Sequence, residues 1–220
     1  MAESANAAVP LLADRDRLHW TLRRLHSLSG VVPIGFYLLF HILFENTYVL
    51  RGGDVWWKHS ESLRQLPFQM AVEALLLWIP ISYHAIYGIF ITATAAPNSA
   101  GYGYTRNLQY TLQRITGILA LAFIGFHVAT TRGYFYVTGI DADYARMHSF
   151  MINPIFLSFY IIGTLSCVYH FTNGIFTFCI TWGITQGPRA QMMVNYACIA
   201  LFVILAFVSV DILVAFRAPT

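Results

Sequence analysis

Four histidines lie inside or near the ends of long apolar runs: His41, His84, His127 and His170. His41 and His84 are 43 residues apart, and so are His127 and His170. The words around them repeat as well. Ser29-Gly30 to Phe40-His41 resembles Thr116-Gly117 to Phe126-His127, and the run His84 to Phe90 resembles His170 to Phe176. One two-helix unit is used twice, a construction common in membrane proteins. An imidazole in hydrocarbon is costly unless paired or coordinated, so it marks a functional site by default. Two imidazoles on facing helices can hold a haem iron from both sides. Iron held so has no open position, and its chemistry is one-electron transfer rather than oxygen activation.

The elements that must position these histidines are transmembrane helices. The chain has 220 residues, 57% hydrophobic and 10% charged, with mean hydropathy +0.58. That composition belongs to integral membrane proteins. A span needs roughly 20 apolar residues, and five segments qualify. Helix 1 is expected over about 25–44, helix 2 over 67–95 before Pro97, helix 3 over 108–131, helix 4 over 154–186 and helix 5 over 192–216. The fold class is all-α integral membrane, with four of the five helices forming a haem-binding bundle. Residues 1–22 lack the apolar core of a signal peptide and carry Arg15 and Arg17, so they read as a cytoplasmic arm ahead of a membrane domain over 23–220. No basic stripe suggests a nucleic-acid partner. Cys167, Cys179 and Cys198 all fall in apolar segments without a Cys-x-x-Cys spacing, which argues against iron–sulfur ligation and covalent haem attachment.

With the N-terminus inside, seven arginines flank the inner face and six Lys or Arg the outer face. The first helix breaks the near-tie, because Arg15, Arg17, Arg23 and Arg24 precede it. Helix 1 then runs outward and brings His41 near the outer face, and helix 3 does the same for His127. Helices 2 and 4 run inward and carry His84 and His170 into the inner half. The histidines therefore sort into an outer pair, His41 with His127, and an inner pair, His84 with His170. Each pair takes one member from each copy of the repeat.

A porphyrin between packed helices needs small residues beside it. Gly88 and Gly174 each lie four residues past an inner histidine, on its face. Gly30 precedes His41 by 11 residues, which at about 100° per residue returns it to nearly the same face, about 16 Å deeper. That puts it level with the inner pair. Ordinary small-residue packing would also account for glycines here. Glu73 precedes His84 by 11 residues and shares the interior face near the outer pair, where a carboxylate can carry protons; a hydrogen-bonded structural carboxylate is the plainer alternative. At the inner end Arg23, Arg24, His26, Ser27 and Ser29 gather at the start of helix 1, and Gln113 and Arg114 near the start of helix 3. They suit haem propionates, a quinone oxygen or a docked soluble subunit, and positive-inside flanks would explain the arginines equally well. A metal transporter is a competing reading of four membrane histidines. It would want carboxylates beside them, and only Glu73 and Asp211 lie within spans.

Several words in the chain are specific: Arg23-Arg24-Leu25-His26-Ser27, Tyr83-His84-Ala85-Ile86-Tyr87-Gly88, Gln113-Arg114-Ile115-Thr116-Gly117, His170-Phe171-Thr172-Asn173-Gly174, and Thr181-Trp182-Gly183-Ile184-Thr185 followed by Pro188-Arg189. Together they resemble the dihaem cytochrome b membrane-anchor subunit of succinate dehydrogenase (succinate:quinone oxidoreductase). The resemblance covers about residues 20–216. It implies two b haems with His41, His84, His127 and His170 as axial ligands, a flavoprotein and an iron–sulfur protein as partners, and a membrane quinone, menaquinone in this type, as electron acceptor. It implies a bacterial cytoplasmic membrane, with the partners docked at the inner face. A menaquinone site near the outer haem suits Glu73 and His59. The single-haem relatives use an inner site, and Ser27 stands where arginine is usual there. A dihaem subunit of a hydrogenase, formate dehydrogenase or nitrate reductase shares the haem argument without the full motif set.

Overall fold

The computed structural model describes residues 2–96 and 100–219, with side chains from residue 16 onward. The Arg15 side chain and Pro97, both used in the expectations above, lie outside the described residues. Among the described residues five helices are long and apolar enough to cross a membrane: Asp16–Arg51, Gln69–Ala93, Thr105–Thr138, Pro154–Thr181 and Pro188–Ala215. These are helices 1 to 5, and the chain is a multi-pass membrane protein. No strand occurs among the described residues. Lipid offers no partner to a free backbone N–H or C=O, so spans close their hydrogen bonds within the helix.

Helix 4 is the centre of the bundle. It packs along its length against helix 3 on one side and helix 5 on the other, and it carries nine buried residues, including Cys167, Val168 and Phe171. Helix 2 is peripheral, and the Ile79–Ala93 stretch of it buries no residue fully. Large apolar side chains such as Phe36, Ile86 and Phe207 point away from the protein, as they should where hydrocarbon surrounds the bundle.

Helix 1 differs most from expectation. It is helical from Ala2, well before residue 25, so the N-terminal arm continues the helix. It also contains two wide π turns, Gly30–Ile34 and His41–Glu45, and a third lies in helix 2 at Ala74–Trp78. Two of these sit next to prolines. Pro33 lies inside the first, and Pro80 follows the third by two residues. A proline ring collides with the carbonyl four residues earlier, and widening the turn moves that carbonyl away. Helix 4 ends at Thr181, five residues earlier than its hydropathy suggested, because Gly183 turns the chain at φ +70°. Two stretches between the expected spans are helical, Gly53–Arg64 and Tyr144–Ile152. Their short length and mixed polarity hide them from a span-length search. Asp143 caps the second, accepting the backbone N–H of Arg146 at 2.9 Å.

Candidate functional site

The bundle brings the four histidines together in twos. The rings of His41 and His127 have centres 5.9 Å apart, inclined at 68°. Those of His84 and His170 are 6.0 Å apart, inclined at 89°. An imidazole nitrogen binds a first-row metal at about 2.0–2.1 Å and the ring centre lies about 1.1 Å behind it, so two opposed rings sharing a metal have centres about 6 Å apart. Both pairs have that separation. Among the described residues no group of three or more His, Cys, Asp or Glu side chains gathers as a metal-ion site.

Three of the four histidines are held through Nδ1. His84 Nδ1 donates to the His26 carbonyl at 3.0 Å, and His26 stacks on the His84 ring at 4.0 Å. His170 Nδ1 donates to the Gln113 carbonyl at 2.9 Å, while Gln113 Nε2 donates back to the His170 carbonyl at 2.9 Å. Asn173 Nδ2 donates to Gln113 Oε1 at 2.7 Å and fixes that side chain. His41 Nδ1 donates to Glu45 Oε2 at 2.7 Å. A proton held on Nδ1 leaves the lone pair on Nε2, the tautomer a metal needs. His127 Nδ1 is buried without a hydrogen-bond partner, and its ring is packed between Phe123, Tyr160 and His41.

The repeat extends to these contacts. His26 and Gln113 are equivalent positions, and each offers its backbone carbonyl to the inner histidine of its own unit. Four residues further on are Gly30 and Gly117. A Cβ at Gly30 would collide with the His84 ring, and one at Gly117 would lie 2.9 Å from His170 Cε1. Gly30 therefore lies level with the inner pair, as its depth predicted. The expected shared face with His41 does not hold. Helix 1 has one more residue between glycine and outer histidine than helix 3 has between Gly117 and His127. The π turn at Gly30–Ile34 absorbs it, since such a turn is a one-residue insertion into an α-helix. It removes about 100° of rotation and returns His41 to the register that His127 holds in a regular helix.

The comparisons with known proteins bear on the same stretch. Over 194 residues, 88% of its length, the chain is 39% identical to the succinate dehydrogenase cytochrome b558 subunit of Bacillus subtilis (strain 168), and the match covers 95% of that protein. The chain belongs to the succinate dehydrogenase cytochrome b558 subunit family. No family model matches it, and no solved structure does.

In this cytochrome b subunit the remaining candidate residues fall into three groups. Arg24 and Ser27 lie together at the N-terminal end of the bundle. The Arg24 guanidinium sits between Trp182 and Trp20, 4.0 and 4.6 Å from the ring centres. Trp182 Nε1 donates to Ser27 Oγ at 3.1 Å. Arg114 lies over Tyr110 at 3.3 Å, with its Nε buried and unpartnered. Gly88 and Gly174 face neighbours other than the paired imidazoles: a Cβ on Gly88 would touch His26 at 3.2 Å, and one on Gly174 would approach Gln113 Nε2 at 3.6 Å. At the opposite end Glu73 is in an ion pair. Arg132 donates to its two carboxylate oxygens at 2.9 and 3.2 Å, and Gln69 donates at 2.9 Å. His59 stacks on Tyr48 at 3.8 Å and bonds the Phe44 carbonyl.

Sequence reasoning passed over Glu45, Gly117 and Arg132. Gly117 was findable as the repeat equivalent of Gly30. Glu45 was findable as a carboxylate four residues after a histidine on one helix. Arg132 lies 59 residues from Glu73, and no local spacing announces that contact.

Proposed function

We propose that this chain anchors a succinate dehydrogenase complex in the bacterial cytoplasmic membrane and carries electrons from an iron–sulfur subunit to a membrane quinone, menaquinone. A flavoprotein partner oxidises succinate. The membrane domain spans residues 23–220, and the arm over 1–22 lies on the cytoplasmic side with both partners. His41 with His127, and His84 with His170, hold two b haems. The observation that carries this reading is the pair of ring separations, 5.9 and 6.0 Å, in a cytochrome b family member. When bound, a bis-imidazole haem supplies one-electron transfer without an open coordination position.

The chain's own residues do the rest. The carbonyls of His26 and Gln113 hold His84 and His170 in the ligating tautomer. Gly30 and Gly117 give those rings room against helices 1 and 3. Arg24, Ser27 and Arg114, at the N-terminal end, supply cationic and hydroxyl groups for propionates or for the docked iron–sulfur subunit. We assign proton delivery to the quinone to Glu73 at the opposite end. Arg132 is its counter-charge, and Tyr37 lies within electrostatic reach of both.

Haem b per chain in the purified complex, by pyridine haemochromogen, tests the reading. Two per chain is expected, with flavin in the copurified partner. A colourless complex would overturn the assignment of all four histidines, and a nickel or molybdenum partner would overturn the assignment to succinate oxidation.

A further inference from the structure

One histidine of the four is held by a carboxylate. The inner histidines both donate Nδ1–H to neutral backbone carbonyls, and the Nδ1 of His127 has no partner. His41 alone donates to a carboxylate, Glu45 Oε2, at 2.7 Å. The repeat shows that this is a difference between the two copies. The position equivalent to Glu45 in the second unit is Thr131, and its hydroxyl bonds the His127 carbonyl of its own helix at 2.6 Å.

The contact is built rather than incidental. Glu45 closes the wide turn His41–Glu45. Asn46 Nδ2 donates to the His41 carbonyl at 2.8 Å, and Trp56 Nε1 donates to Asn46 Oδ1 at 3.1 Å. The helix Gly53–Arg64 thus braces the turn that aims both side chains. Tyr37 stacks on the imidazole at 5.5 Å. Arg64, paired with Asp141 at 2.7 Å, lies within electrostatic reach of Glu45.

We propose that Glu45 is a positioning residue that lowers the reduction potential of the haem held by His41 and His127. This rests on the two-haem reading above. A carboxylate accepting the Nδ1–H of a ligating histidine makes Nε2 a stronger donor. Ferric iron carries one more positive charge than ferrous, so a more basic ligand and a nearby negative charge favour the ferric state. Hydrogen bonding around the axial ligand is one of the protein's main controls on haem potential. The inner pair has no such carboxylate on Nδ1, so Glu45 lowers the outer potential relative to the inner one.

The test is an optical redox titration of the complex as wild type, E45Q and E45D, with haem content measured on each. The outer haem is identified as the one retained in His84→Ala. In E45Q, which keeps an acceptor oxygen without the charge, the reduced-to-oxidised ratio of the outer haem at fixed ambient potential should rise about tenfold, or about 59 mV for one electron. The inner haem should not move. E45D keeps the charge and should titrate near wild type; if E45Q loses the haem, a shift of about 59 mV or more in the outer haem of E45D overturns the role of the charge. Two retained haems with unchanged potentials in E45Q, or a shift in E45D as large as that in E45Q, would overturn the role of Glu45. Fewer than two haems in wild type would overturn the two-haem reading, and this inference with it.

Discussion

At the N-terminal end of the bundle, His84 and His170 are held alike: each gives its Nδ1–H to a backbone carbonyl four residues before a glycine that makes room for the ring. At the opposite end the two histidines are held differently. His41 faces a carboxylate from its own turn, and His127 is fixed only by the aromatic rings around it. The repeat supplied the same framework twice. Backbone carbonyls are present at any sequence, so the inner arrangement survives divergence between the copies. The outer arrangement depends on side chains, and there the copies have parted. A duplicated fold keeps symmetry where the main chain does the work and loses it where side chains do.

The strongest way to break this comparison is to remove one histidine at a time. His84→Ala or His170→Ala should each remove one haem of two while leaving the outer haem's spectrum intact, and His41→Ala or His127→Ala should do the reverse. Loss of both haems from any single variant would show that the two ends are not independent sites. A smaller effect is expected from Gly30→Ala. The new methyl group meets the His84 ring, which is held in place by His26. Overpacking of this kind costs about 1–3 kcal/mol, and it should lower occupancy of the inner haem alone. Gly117→Ala should act in the same direction and less, its contact being 2.9 Å. Equal loss at both ends would mean that the glycines serve helix packing in general.

Arg132→Ala sharpens the outer side. It leaves Glu73 without its cation in a site where the two side chains are 18% and 21% exposed. A fully buried pair loses about 3–5 kcal/mol when one partner is removed, and the partial exposure here reduces that to about 2 kcal/mol. The complex should melt at lower temperature, and adding Glu73→Gln should restore most of the loss. Quinone reduction that stays at the wild-type rate in Glu73→Gln would count against the proton-delivery role. The smallest effect is expected from Gln113→Ala. It removes the side-chain bonds to His170 and Asn173 but keeps the backbone carbonyl that holds Nδ1. About 1 kcal/mol is at stake, visible as easier loss of the inner haem on heating.

The sequence carried the five spans and the sorting of the histidines, and the geometry follows that sorting. Errors came at turns and ends. Gly30 lies at the expected depth and beside the inner pair, but about 100° round the helix from the expected line through His41, since a uniform 100° per residue knows nothing of a π turn. The helix Gly53–Arg64 falls outside the expected spans, although its Trp56 braces Asn46 beside His41. For Glu73 the spacing leaves open a proton-carrying carboxylate or a hydrogen-bonded one, and it does not name the partner, because Arg132 counts there only as a flanking charge.

What the sequence by itself determined is the set of quantities that depend on local composition and spacing. Apolar length sets the number of crossings, and a rise of about 1.5 Å per residue sets each histidine's depth. The repeat says which two share a level. What only the tertiary structure decided is the direction and partner of each side chain. The one-residue insertion in helix 1 is invisible as strain or register until the backbone widens to absorb it. The Nδ1 partners of His84 and His170 come from residues 58 and 57 positions away, and the Glu73–Arg132 pair closes across 59. Hydrogen bonds, including those that join Glu73 to Arg132, form only at about 3 Å, so they are settled only when packing brings distant turns to within that reach.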